Sequence, residues 1–274
     1  MINNPLKQYF RRPGVFLKLP SGGKGYPEGS LNLSPTGELP VYPMTAIDEI
    51  TTKTPDALFN GNAVVDIIKS CIPDIKDPWM VQNCDIDSIL IAIRAASGTG
   101  NLDIETMCPN CNHRETYGVN LVNVLNTMVA GNYDQELDVG ILKIKFRPLV
   151  FSEMNRANLG QLEVQKIFQK IDQVEGEEEK TKLSEQALRS LTALTMELVS
   201  QAIEYIRTPD ATVVEKPFIL DFLQNCNKDD YVLIRDHNAK LRATAELKPL
   251  DISCTECSTQ YKQDYSINPS DFFG

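Results

Sequence analysis

Positive charge is in short supply in this 274-residue chain: 27 lysines and arginines stand against 37 aspartates and glutamates, a net charge of −10 at pH 7. A phosphate backbone would repel such a chain unless its basic residues were sharply segregated, and no basic block occurs. Long apolar runs are also missing. No stretch of eighteen apolar residues is present, which excludes a membrane-spanning helix, and the N-terminus has no apolar segment to act as a signal peptide. Arg11-Arg12 followed by Val15-Phe16-Leu17-Lys18 has a faint twin-arginine look, but Pro20-Ser21-Gly22-Gly23 stands where such a signal needs apolar residues. Histidine is limited to His113 and His237, too few for most catalytic triads or metal hydrolases. Ser21-Gly22-Gly23-Lys24-Gly25 is not a phosphate loop, because no buried strand precedes it and no helix follows. A G-x-S-x-G elbow is absent, and Glu177-Glu178-Glu179 reads as a solvated loop. No enzyme is expected.

What the chain does have is seven cysteines, an odd number that suits a reducing compartment better than a secreted disulfide framework. Four of them form two C-x-x-C knuckles, Cys108-Pro109-Asn110-Cys111 and Cys254-Thr255-Glu256-Cys257. Each lies between strand-like runs, Leu102 to Thr106 and Thr116 to Leu121 for the first, Leu247 to Ile252 and Tyr261 to Ile267 for the second, so each reads as a hairpin tip. Two such pairs supply what one tetrahedral Zn2+ needs, and four thiolates leave no open position for catalysis. A thioredoxin-type redox pair would sit at a helix start, where the dipole lowers the thiol pKa; strand-like residues follow both knuckles instead. Plain buried cysteines are the remaining alternative. A metal shared by Cys108, Cys111, Cys254 and Cys257 would tie the middle of the chain to its C-terminal region as a structural cross-link. His113 reads as a knuckle-tip side chain, His237 as a helix residue without a ligand partner, and Cys71, Cys84 and Cys226 as small buried apolar groups.

The pattern of elements implies an α+β fold, helix-rich with short strands. Residues 1–37 are rich in Pro, Gly and Ser and read as an extended arm. From residue 38 an order of strand, helices and knuckle hairpin runs to 121 and recurs over 141–267, which suggests gene duplication, with chance resemblance as the competing account. Glu38 to Met44 leads into a helix start at Thr45 to Glu49, as Ile141 to Leu149 leads into one at Ser152-Glu153-Met154. Asn83 to Leu90 and Asn225 to Val232 each open a helix. Thr54-Pro55-Asp56 reads as a cap and first turn, and Asn62 to Cys71 as a helix closed by Pro73. Three divisions follow: the arm 1–37, a first half 38–130, and a second half 131–274 with an inserted helical hairpin at about 152–207. Leu183, Ala187, Leu191, Leu194 and Leu198 mark the second helix of that hairpin.

Leu19-Pro20-Ser21-Gly22-Gly23 with Tyr26, Val41-Tyr42-Pro43-Met44-Thr45-Ala46 with Asp48-Glu49, Asn60-Gly61 before a helix with Ile68 and Cys71, and Asp87 to Arg94 before Cys108-Pro109-x-Cys111 closely resemble the baseplate hub and hub-assembly proteins of T-even-type contractile-tailed bacteriophages. The resemblance covers about residues 17–125 and extends more weakly to the second knuckle and Asp271-Phe272-Phe273-Gly274. It implies a non-enzymatic viral protein of the tail baseplate, in the hub or wedge region, assembled in the host cytoplasm and binding other baseplate and tail proteins. The arm, through Phe16, Leu17 and Tyr26, and the tail, through Phe272 and Phe273, are expected to contact neighbouring subunits, since arms that order on binding wrap their partners. No nucleic acid and no small-molecule substrate is expected. A zinc-ribbon nucleic-acid-binding or regulatory protein is the alternative; it would need a basic, aromatic surface beside the metal. A hydrolase with a converging carboxylate or histidine pair is a further one.

Overall fold

In a computed structural model the chain is described over residues 5–52, 61–98, 100–171, 174 and 176–265. It divides into two units. The first comprises Met1–Pro78, Cys84–Val129 and Ala245–Gly274, and the second Trp79–Asn83 and Ala130–Thr244.

The first unit begins with strand β1 (Val15–Lys18) paired antiparallel to β2 (Glu38–Val41), with Leu17 opposite Leu39. Because side chains alternate across a strand, Leu17, Leu39 and Val41 are buried while Phe16 is 63% exposed. Helix α1 (Ala46–Thr52) starts at the expected place. Thr45 Oγ1 accepts from the Asp48 N–H at 3.3 Å and Asp48 Oδ2 accepts from the Thr45 N–H at 2.7 Å, a reciprocal capping box. The same carboxylate receives the Ser70 hydroxyl at 2.9 Å and faces Arg11 at 3.5 Å. Arg11 in turn donates to the carbonyls of Pro43 and Ser70, so the chain ahead of β1 is tied to its own unit.

Helix α2 (Asn62–Cys71) matches its sequence expectation, burying Val64, Val65, Ile67, Ile68 and Cys71 along one broad face. It starts after Gly61, whose φ of 77° lies in the left-handed region that favours glycine. The turn expected at Thr54-Pro55-Asp56 lies outside the described residues. Helix α3 (Asn83–Ser97) is apolar on most of its circumference and carries a buried aspartate, Asp85. Strands β3 (Asn101–Met107) and β4 (Arg114–Asn120) form a hairpin, and the Asn120 side chain caps α4 (Leu121–Thr127) by accepting from the Asn123 N–H. Strands β9 (Leu250–Ser253) and β10 (Gln260–Gln263) form a second hairpin.

The second unit is built on an antiparallel sheet in the order β5 (Glu136–Val139), β6 (Leu142–Phe146), β7 (Ile203–Arg207), β8 (Thr212–Val213). Helices α5 (Phe151–Ile171) and α6 (Glu177–Ala202) form the expected hairpin. The second helix ends at Ala202, short of the expected 207. From there Ile203–Arg207 forms a strand, with Ile203 and Ile206 both buried across a register shift opposite Lys145 and Phe146, and pairing with β6 prevails over the helical period that Leu194 and Leu198 continue. Helix α7 (Lys216–Asn225) has proline in its first turn, and α8 (Lys228–Ala243) starts after Asn227, three residues beyond the expected opening. Phe146, Ile144, Val199, Ile203, Ile219 and Ile234 are central to the core.

The two helix starts that suggest a repeat share their chemistry: Glu153 accepts from the Val150 N–H at 3.0 Å as Asp48 does from Thr45, and each carboxylate faces an arginine. The strands leading into them differ in pairing, since β2 lies in a two-stranded ribbon and β6 in the interior of a four-stranded sheet.

His237 packs on Phe146 with ring centroids 5.2 Å apart, and its Nε2 is buried without a hydrogen-bond partner. Burial, then Lys240, pushes its pKa below the ordinary value. A depressed histidine stabilises the fold fully above the unfolded pKa, and that contribution is lost as pH falls through the folded value. His237→Leu is therefore expected to flatten the fall in stability below about pH 6.5 and to gain roughly 1 kcal/mol at acidic pH, measured by urea denaturation at pH 5 and pH 7.5.

Candidate metal centre

Both knuckles use one backbone design. In the first, the Cys108 N–H donates to the His113 carbonyl at 2.9 Å and the Asn112 N–H to the Cys108 carbonyl at 3.0 Å; in the second, the Cys254 N–H donates to Thr259 at 3.0 Å and the Ser258 N–H to Cys254 at 2.9 Å. The residue after the second cysteine takes a left-handed conformation in each, Asn112 with φ 56° and Ser258 with φ 57°. Asparagine tolerates this region, whereas serine is strained there. Ser258→Gly is expected to raise stability by about 0.5–1 kcal/mol, the relief of strain exceeding the added unfolded-state entropy. A thermal melt with unchanged metal content checks it.

The hairpins bring the four thiols together. Cys108 Sγ lies 3.6 Å from Cys257 Sγ, Cys111 Sγ lies 3.6 Å from Cys254 Sγ, and all four sulfurs fall within 4.8 Å of one another. A tetrahedron of sulfurs about 2.3 Å from a central ion has edges of about 3.8 Å, so the cluster has the size that a single ion requires. Contacts between the hairpins hold this arrangement: Asn110 Nδ2 donates to Thr259 Oγ1 at 3.2 Å, Thr255 Oγ1 to Glu115 at 3.1 Å, and the Thr106 and Tyr261 hydroxyls share a hydrogen bond.

Hydrogen bonds within and around the cluster shift its thiols in opposite directions. The Thr259 hydroxyl and backbone, followed by Asn110, hold the Cys257 thiol down to about 5. At Cys111 the His113 backbone N–H favours the thiolate, but the neighbouring Cys257, Cys254 and Cys108 and desolvation outweigh it and push the thiol up to about 12. One thiolate thus forms readily and the next is opposed, a conflict that a divalent cation at the centre would remove.

The other cysteines lie apart from this cluster. Burial raises the Cys71 thiol to about 11 with help from Asp48, and burial likewise raises Cys84 and Cys226. Cys71 and Cys84 are buried, as the sequence suggests, while Cys226 is half-buried. His113 contributes its carbonyl to the first knuckle turn.

The residues expected to meet partners are placed differently from one another. Phe16 is exposed, Leu17 is 2% exposed against its own unit, and Tyr26 donates its hydroxyl to Asp85 at 2.7 Å. Phe272 and Phe273 lie outside the described residues. Asp85 and Arg11, to which the sequence assigns no structural role, each organise the arm-side segment of the first unit. Among the described residues no helix is long and apolar enough to cross a membrane.

A mixed helix and short-strand scaffold with a closed, ribbon-type cluster of four thiols defines a class of protein whose cysteines can serve architecture. The chain belongs to the T4 bacteriophage base plate protein family, whose model matches residues 16–274. That membership makes it a structural protein of the phage tail baseplate. No curated protein and no solved structure matches it.

Proposed function

We propose that this protein is a non-enzymatic structural or assembly component of the hub or wedge region of the baseplate, with one structural Zn2+ held by Cys108, Cys111, Cys254 and Cys257. The observation that carries the metal assignment is the convergence of four sulfurs within 4.8 Å on two hairpins far apart in sequence. A set of four thiolates fits zinc in a closed tetrahedral site, which supports folding rather than chemistry. Among the described residues no other group of histidine, cysteine and carboxylate side chains has metal-binding geometry.

The surface beside the cluster argues against the nucleic-acid alternative. Glu115 sits on the knuckle side of β4 beside Arg114, and Lys262 is paired with Asp251 at 3.8 Å, so among the described residues the two hairpins carry isolated cations with acidic neighbours in place of a basic stripe. The exposed Phe16 and the terminal Phe272 and Phe273 are proposed to contact other baseplate and tail proteins, with assembly in the host cytoplasm and retention in the virion tail. Affinity purification of a tagged copy from infected cells, together with proteomics of purified tails, tests this. Co-purifying hub or wedge proteins and a stoichiometric signal in the tail support the reading; absence from both baseplate intermediates and finished tails overturns it.

A further inference from the structure

The α5–α6 hairpin of the second unit offers an interaction surface of its own. Its helices of 21 and 26 residues run antiparallel, in a register fixed by two contacts: Gly160 lies directly against the Leu194 side chain, and Arg156 pairs with Glu197 at 3.7 Å. With that interface as reference, helical spacing divides the remaining surface into two unlike faces. One carries the charge, including the pairs Lys182–Glu178 and Arg189–Glu185. The other is lined by Gln161, Gln165 and Phe168 on α5 and by Ser184, Leu188 and Leu191 on α6. Among the described residues it has no charged side chain between 158 and 169 on α5 or between 181 and 198 on α6. Phe168 is 41%, Leu188 57% and Leu191 38% exposed, so among the described residues this face leaves much of its apolar surface uncovered.

An uncharged helical face is unexpected in a chain with 23% charged residues. We propose that it is the self-association surface of this protein, two copies packing hairpin against hairpin about a twofold axis as a four-helix bundle. The charge of the whole molecule favours a second copy as occupant. At net −10 two copies repel wherever their charged surfaces meet, and a face without charge is where they approach at least electrostatic cost. Its hydrogen-bonding groups are neutral amides and hydroxyls, which are self-complementary because each both donates and accepts. The size is sufficient. Two helices side by side over about 14 residues present a face on the order of 500 Å2, so a pair of copies buries on the order of 1,000 Å2, the lower end of specific interfaces.

Sedimentation equilibrium of the full-length protein tests this directly. The wild-type chain is expected to dimerise at micromolar concentrations. Leu188→Glu and Leu191→Lys should each weaken the dimer at least ~30-fold with unchanged helical circular dichroism. Arg189→Glu, on the charged face, should leave the dimer within about twofold of wild type. A wild-type chain that stays monomeric at 100-fold higher concentration, or a dimer indifferent to Leu188→Glu, overturns the proposal.

Discussion

Cys108→Ser or Cys254→Ser is expected to abolish stoichiometric zinc and unfold the first unit, while leaving the second folded. Serine offers no thiolate, and the three remaining sulfurs cannot close a tetrahedral shell. The loss has two parts. Structural zinc contributes on the order of 10 kcal/mol in small peptides, an upper bound where a protein core already preorganises the ligands. The cross-link itself constrains the unfolded chain. Cys108 and Cys257 are 149 residues apart in sequence, but Gly131 lies against the Leu241 backbone, so a folded second unit shortens the path between the knuckles. The effective loop is then on the order of 40 residues, and closing it is worth about 4 kcal/mol on a chain-entropy estimate. A loss of about 4 kcal/mol or more from the first unit is therefore expected. The second unit supplies its own reporter: Trp79, the only tryptophan, stacks on Phe151 at 5.5 Å within it. Metal analysis should show zinc near one equivalent in wild type and in Cys71→Ser, and near none in the knuckle variants. Trp79 fluorescence should stay native in all of them while proteolysis cuts within 84–129. Full zinc retention in Cys108→Ser would remove the metal centre from the account.

The metal cluster was legible because its signal is local and chemical: C-x-x-C between strand-like runs permits few other arrangements. Its turn geometry was not, since Asn112 and Ser258 stand where a glycine would have announced the left-handed residue. Helix α2 was readable to the residue from its apolar period and Pro73, because buried positions and a breaker coincide there. The end of α6 was misread because Leu194 and Leu198 continue the helical period up to a segment whose strand identity comes from pairing with β6. Least visible were the buried polar groups. Arg11 and Asp48 are 37 residues apart and Tyr26 and Asp85 are 59 apart, so no local pattern marks them as partners.

Asp85→Ala is expected to destabilise the first unit by about 3–5 kcal/mol, the second large effect. Asp85 sits in the first turn of α3 with no exposure to solvent. Its carboxylate receives the Ser21 N–H at 2.9 Å, the Ser21 hydroxyl at 2.6 Å and the Tyr26 hydroxyl at 2.7 Å. These bonds dock the turn-rich segment after β1 onto α3, and alanine would take the acceptor away from all three donors at once. Tyr26→Phe removes one donor and leaves the carboxylate two, so about 1 kcal/mol is expected, and the pair should be strongly non-additive in a double-mutant cycle. The titration adds an independent check. Burial raises the Asp85 pKa above the ordinary carboxyl value, with the Ser21, Tyr26 and Cys84 hydrogen bonds opposing it. A raised folded-state pKa means that the native state holds the proton more tightly than the unfolded chain does. The stabilisation from this proton is present below the ordinary value near 4 and is lost as pH rises through the folded value. Asp85→Asn cannot titrate, so its stability deficit relative to wild type should shrink as pH rises across that window. Urea titrations of the three variants between pH 4 and pH 8 distinguish these effects, and an Asp85→Ala chain within 1 kcal/mol of wild type would mean that the segment from Ser21 to Tyr26 is held by other contacts.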